Sequence, residues 1–444
     1  MPLPSLPALN RSLPVTSHSS RVRHVVELFR AHADDPRLPV LLNALVGKSS
    51  YHALLAVEAA RVLGDTARLK ELAKHSSRRV RLRAAALLPL RATDPTAFAI
   101  DYTTRPIAER RRLRRRIINE GRRDLAAALL AAPLSDRERA GMLIACDPDI
   151  IADHMPELGD LVPNLAALAH RHPDVLLAEV RRRLEGAPAD RRATIWRWIA
   201  PAVRHLARAR PRELALLVSE AESSRGLPPL FRDVAGPLLV AAPDDMSRLL
   251  ALTPAHHFSG RYGIGGRIRR RFRELTREQR SRILRATRDD EHEVACLLRG
   301  LPPGERAQAF ADAYEGVELR DRDWSEEMLD ALPRELRETQ AARMAGLPVN
   351  QGREEQLRLA AHLAPDQALA VAEPCLNSSD AEERGAAWHA ILASALRSRD
   401  PRAIVVAFAR IEILATEQDP VRNAAMAALA VASGQLLDLI PAER

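Results

Sequence analysis

The chain has 444 residues, more than one ordinary hydrophobic core of roughly 250–300 residues can hold, so it is either several domains or one extended repeat array. Aromatic residues are only 3%, and Val/Ile/aromatic runs long enough for strands are scarce, which disfavours a β-rich fold; no window approaches the roughly 18 uninterrupted apolar residues of a membrane span. The formal charge of +9 is polarised: Lys and Arg outnumber Asp and Glu by 24 to 11 over residues 1–130 and by 26 to 19 over 131–286, and fall behind by 17 to 28 over 287–444.

The opening MPLPSLPALNRSLPVTSHSS has neither a basic start nor a continuous apolar core, so no signal peptide is expected, and residues 1–19 read as a disordered arm. Helices are expected at about 20–32, 37–47, 51–63, 66–75 and 77–90. From Arg105 to Arg123 the chain holds nine arginines and two acids. On a helical wheel Leu113 and Ile117 form a narrow apolar stripe. Arg110, Arg111, Arg112, Arg114, Arg115 and Arg116 occupy most of the remainder, which makes a strongly positive exposed helix. Only Lys48, Lys70 and Lys74 are lysines. An arginine excess of this kind arises from a GC-rich genome, or it builds a surface that grips carboxylates or phosphates bidentately.

The stretch LAALAHRHPDVLLAEVRRRL around Pro173 shows the recurring unit: one apolar helix runs out at a polar turn and Pro opens the next. The junction returns at Pro211, Pro243, Pro365 and Pro401. The intervals from Pro173 to Pro211, Pro211 to Pro243 and Pro365 to Pro401 are 38, 32 and 36 residues, the length of two helices with their turns. Helix starts follow leucine at LSDRER, LTREQR, LPPGER and LPRELR, with Ser135 and Thr276 as caps. SSRRVRLRAAALLPL near 77–90 and EQDPVRNAAMAALA near 419–428 each place a capping residue, a Val-Arg pair and small residues one turn on; NSSDAEERGAAWHAILASAL, with Asp380, Arg384 and Ala387, is a looser copy. This pattern resembles the second helix of a HEAT repeat. The resemblance implies an α-solenoid in which such Asp and Arg side chains link neighbouring repeats.

The stretch TPAHHFSGRYGIGG carries four glycines between Gly260 and Gly266, so residues 253–266 are expected as a loop or hinge, with a smaller break at Glu315–Ser325. Behind the glycines, Ile268, Phe272 and Leu275 share one helix face and Arg267, Arg269, Arg270, Arg271 and Arg273 cover the other. This reads as a basic helix presented by a loop, able to meet an anion at its N-terminus. It lacks the last glycine of a dinucleotide fingerprint, and no strand precedes it.

Chemistry is otherwise sparse. His292 and Cys296 are one turn apart but lack the further ligands of a zinc site. His256 and His257 read as loop surface, and Cys146 reads as buried packing. No nucleophile or Walker motif appears, and no cofactor or metal is expected. Bacterial HEAT-like-repeat DNA glycosylases use aromatics on a basic concave face. Trp196-Arg197-Trp198 is the one local aromatic cluster, and residues two apart on a helix point roughly 200° apart, so the pair cannot line one cradle. Three widely spaced cysteines suggest no disulfide framework and a reducing cytoplasm.

The expectation is therefore an all-α fold, a right-handed, curved α-solenoid of about ten antiparallel HEAT-like hairpins. A basic array would span 20–252 and an acidic array 267–444, with the Gly-rich hinge between. Its function would be that of a non-catalytic cytoplasmic scaffold binding a protein on an extended surface. Nucleic-acid binding through Arg110–Arg116 and Arg267–Arg273 is the alternative, base excision a remoter one, and head-to-tail self-association is open to a chain with opposed charge ends.

Overall fold

The computed structural model describes residues 3–13, 17–254, 264–429 and 432. Among these residues there are 29 α-helices, several short 3-10 turns and no strand, so the chain is all-α. None of the described helices is long and apolar enough to cross a membrane. The chain divides into two compact units, Met1–Val175 and Leu176–Arg444.

The first unit holds α1 (Leu6–Ser12), α2 (His18–Ala31), α3 (Leu38–Lys48), α4 (Ser50–Leu63), α5 (Thr66–Leu72), α6 (Arg78–Ala85), α7 (Pro95–Thr104), α8 (Ile107–Glu120), α9 (Arg123–Leu130), α10 (Asp136–Ala140), α11 (Pro148–Leu158) and α12 (Leu165–Arg171). Local chemistry sets the starts and stops. The side chains of Ser49, Asp65 and Asp94 accept amide hydrogen bonds at the N-termini of α4, α5 and α7. Gly64 and Gly121 close α4 and α8 in the left-handed region, at φ 72° and 63°, where a side chain would be strained. Within this unit α4 packs against α2, α3, α5 and α6.

Two expectations are corrected in this unit. Part of the stretch read as a disordered arm is helical: Pro7 lies in the first turn of α1, and Leu9 is fully buried. The helix expected over 77–90 stops at Ala85 and resumes as a 3-10 turn, Leu88–Arg91. Pro89 has no amide to donate and its ring clashes with the carbonyl four residues back, so the α-helix cannot run through it.

After α13 (Pro173–Leu184), which spans the division, the second unit holds α14 (Ala189–Ile199), α15 (Val203–Ala209), α16 (Pro211–Ala221), α17 (Ala235–Ala241), α18 (Pro243–Ala251), α19 (Ile264–Phe272), α20 (Arg277–Thr287), α21 (Glu291–Leu298), α22 (Pro303–Ala313), α23 (Glu326–Ala331), α24 (Arg334–Ala345), α25 (Arg353–Ala360), α26 (Pro365–Ala372), α27 (Ala381–Ser398), α28 (Pro401–Ala409) and α29 (Asp419–Leu429). All five prolines of the recurring junction open helices. The residue before each is driven out of the helical region, as at Arg210 and Ala242, whose φ values are −141° and −143°. Helices flanking these junctions pack on each other, as α15 does on α16 and α17 on α18. Each also meets the helix after next: α16, α18, α20 and α22 contact in succession, and so do α17, α19, α21 and α23. Around α27, Trp388, Leu392 and Leu396 join Val421 and Ala425 of α29 in one apolar cluster.

The Gly-rich loop expected at 253–266 lies mostly outside the described residues, as do His256 and His257. Its described end departs from the reading, because Gly265 and Gly266 belong to the first turn of α19. The division between the units falls at Val175, inside the recurring unit.

Arginine supplies a tie that the sequence does not announce. Arg91 donates to the carbonyl of Arg61, Arg116 Nη1 to Ala86 at 2.6 Å and Arg122 Nη2 to Ala92 at 2.9 Å. In the second unit Arg192 Nη1 reaches the Ala221 carbonyl at 2.6 Å, Arg285 Nε that of Asp312 at 3.0 Å, and Arg397 Nη1 that of Ala361 at 3.3 Å. Each acceptor lies in the last turn or cap of a helical segment, 27 to 36 residues away. Carbonyls at helix ends run short of helical partners and sit at the negative end of the dipole, where a guanidinium is favoured; that of Arg61 also accepts the Gly64 amide.

Candidate functional site

The arginine-rich helix forms as expected, with Leu113 and Ile117 buried. Its arginines, however, divide into two sets. Arg110 faces Glu138 of α10, Nη1 to Oε1 3.4 Å. Arg114 lies over Gly141, where a β-carbon would meet its Nη1 at 2.8 Å, and Arg116 is tied to Ala86. These three serve packing, which corrects the expectation of a uniformly exposed basic face. Arg111, Arg112 and Arg115 are exposed and have no ion-pair or hydrogen-bond partner among the described residues.

A neighbouring helix completes this surface. Arg79, Leu82 and Arg83 of α6, spaced i, i+3 and i+4, share one face and are all exposed. Arg83 Nη2 lies 2.6 Å from Oε1 of Glu58. Glu58 also holds Arg61, which in turn meets Glu120 of α8 at 2.8 Å. The guanidinium of Arg116 is held below its ordinary basicity, first by burial and then by the nearby charges of Arg83 and Arg112. The positive faces of α6 and α8 are therefore neighbours. The sequence reading caught α8 but missed α6, although RRVRLR carries four arginines in six residues.

The second basic helix, α19, is less available. Ile268 and Phe272 are fully buried, and the helix packs between α17 and α21. A β-carbon at Gly236 would meet the Arg267 carbonyl at 2.9 Å, and one at Gly300 the Arg269 carbonyl at 2.5 Å. Arg267 Nη2 faces Asp233 at 3.2 Å, and Arg271 Nη1 pairs with Glu274 at 2.9 Å. Arg270 and Arg273 have no such partner among the described residues. The helix is gripped on both sides rather than presented.

Beside it stands Glu293, 2% exposed, with an Oε2 that has no hydrogen-bond partner among the described residues. Its carboxyl lies where a side chain on Gly265 would go, 1.7 Å from that β-carbon position. Burial, reinforced by Asp290, pushes its pKa up to about 7. The folded protein therefore holds a proton that the unfolded chain releases above its ordinary value of 4.5. The second unit should lose roughly 3 kcal/mol through this group as pH rises from about 4.5 to 7, and no more above that. His362, fully enclosed and held down to about 3 chiefly by burial and then by Arg397, acts oppositely: it costs stability as pH falls below 6.5. The difference between Glu293→Gln and wild type in denaturant titrations isolates Glu293. It should grow across pH 4.5–7 in favour of the variant, and a difference flat with pH would refute the assignment.

The remaining candidates take structural positions. His292 Nδ1 lies 2.6 Å from Glu327, whereas Cys296 stands beside Arg269. No group of three His, Cys, Asp or Glu among the described residues is placed to hold a metal. Cys146 is buried, and burial pushes its thiol up to about 12. Trp196 is buried with Nε1 donating to Glu222 Oε1 at 2.7 Å, and Arg183 covers the ring of Trp198 at 4.0 Å. A second aromatic cluster, which sequence distance conceals, joins Phe310, Tyr314 and Trp324, with Arg322 4.7 Å from the Trp324 ring centre. All three rings are buried and belong to the core.

Comparison of the chain with protein-family models, with curated proteins and with solved structures finds no match. What the fold defines is a class: an all-α protein, several of whose helices carry clustered arginine.

Proposed function

We propose that the chain is a non-catalytic scaffold: an α-solenoid of about ten antiparallel HEAT-like hairpins that binds another macromolecule, a protein more than a nucleic acid, on its extended surface. The observation that carries this reading is the packing of each helix on the helix after next, in α16, α18, α20 and α22 and again in α17, α19, α21 and α23. Stacking of that kind buries the apolar face of each unit against its neighbours and leaves the outward face free for contact. Three free cysteines, two of them buried, suit a reducing cytoplasm.

The test is capture of the tagged chain at native level from its own cells, with nuclease treatment before elution. A protein retained in constant proportion after nuclease digestion is the expected result. Recovery of nucleic acid alone, or of nothing above an untagged control, would refute the scaffold reading. If the bound species is nucleic acid, its affinity should fall steeply with log salt.

A further inference from the structure

We infer that the joined faces of α6 and α8 are a docking surface for an acidic protein segment with apolar residues set among its carboxylates. This inference rests on the scaffold reading and names the chemistry of one of its contacts. The charge side is supplied by Arg79, Arg111, Arg112 and Arg115, exposed and without partners among the described residues. A hydrogen bond from Arg116 of α8 to the carbonyl of Ala86, just beyond α6, links the two helices.

The apolar side decides the kind of partner. Leu82 is 61% exposed between Arg79 and Arg83, and Ile107 is 56% exposed one turn before Arg111 on the same stripe of α8. A sugar-phosphate backbone satisfies guanidinium groups but offers nothing to cover a leucine and an isoleucine. A segment alternating Asp or Glu with Leu satisfies both, since carboxylates take bidentate arginine contacts and its apolar side chains cover Leu82 and Ile107. Weakly hydrated guanidinium groups lose little on being brought into such a contact.

The experiment is fluorescence anisotropy of the full chain with three labelled probes of equal charge: a peptide of repeating Asp-Glu-Leu, a polyglutamate peptide and a DNA duplex. The leucine-bearing peptide should bind about tenfold more tightly than polyglutamate, the value of burying one large aliphatic side chain. Leu82→Ser or Ile107→Ser should remove that advantage and leave polyglutamate binding unchanged, while Arg79→Glu with Arg112→Glu should weaken both peptides at least tenfold. All four positions are exposed, and an unaltered circular dichroism spectrum identifies folded variants. Equal or tighter binding of polyglutamate or of duplex, no effect of either serine variant, or no peptide binding at all would overturn the inference. A partner captured from cells that still binds the Arg79→Glu, Arg112→Glu chain would leave the scaffold reading standing and remove this surface from it.

Discussion

Gly300→Ala should lower the stability of the second unit by roughly 2–3 kcal/mol, the upper part of the range of about 1–3 kcal/mol for forcing atoms into a packed interior. The new β-carbon would stand 2.5 Å from the Arg269 carbonyl and 3.0 Å from that of Leu297, both backbone atoms that cannot rotate away. Arg269 is in α19, whose Ile268 and Phe272 are fully buried, so the helix cannot retreat without opening its own core. Gly265→Ala should cost a similar amount for a different reason, because there the obstacle is the end of the Glu293 side chain. Shortening that side chain by Glu293→Ala should recover most of the loss at Gly265 and none of the loss at Gly300. All four tryptophans, Trp196, Trp198, Trp324 and Trp388, belong to the second unit, so their fluorescence in denaturant reads its stability directly. An unchanged midpoint for Gly300→Ala would mean that α19 is not gripped as described.

Helix placement was legible because the signals are local. Pro211 fixes its own φ and disturbs Arg210, and Thr276 with Gln279 forms a reciprocal capping box; both act within a few residues and need no knowledge of the fold. The errors arose where a tertiary contact overrides the local rule. Gly265 and Gly266 read as helix breakers, yet both lie in the first turn of α19; at Gly265 the buried carboxyl of Glu293 leaves no room for a side chain. The prolines and serines of the first residues give the composition of a disordered arm. Composition does not show that Leu9 finds a buried place or that Ser12 contacts His24 of α2 at 3.3 Å.

The site was legible only in its charge. A helical wheel separates Leu113 and Ile117 from the arginines, but it cannot tell Arg115, which reaches solvent, from Arg116, which reaches a carbonyl 30 residues back. Nor can it join α6 to α8, or show that the connection after α22 folds Trp324 back onto Phe310 and Tyr314, because those contacts are set by the folded packing and not by helical spacing. The same gap hid Glu293, one acid among many in an acidic stretch until its packing is known.

Replacing Arg91, Arg116 and Arg122 together by lysine should destabilise the first unit by about 3 kcal/mol, whereas the same change at Arg111, Arg112 and Arg115 should leave it within about 0.5 kcal/mol of wild type. Positive charge is conserved in both sets, so the comparison isolates geometry. Arg91, Arg116 and Arg122 each place a guanidinium N–H on a carbonyl at the end of a helical segment 30 residues earlier, from a partly buried position. A shorter, more strongly hydrated ammonium loses that reach and costs more to desolvate. Hydrogen bonds from charged donors are worth roughly 1–3 kcal/mol each, and part of that survives in lysine, so a total near 3 kcal/mol follows for the three. Far-UV circular dichroism in denaturant should show the loss, while the tryptophan transition of the second unit stays in place as an internal control. Equal, small effects from both triple variants would return the arginine excess to genome composition. An effect confined to Arg91, Arg116 and Arg122 would assign these arginines to holding the helices together and leave Arg111, Arg112 and Arg115 free for a partner.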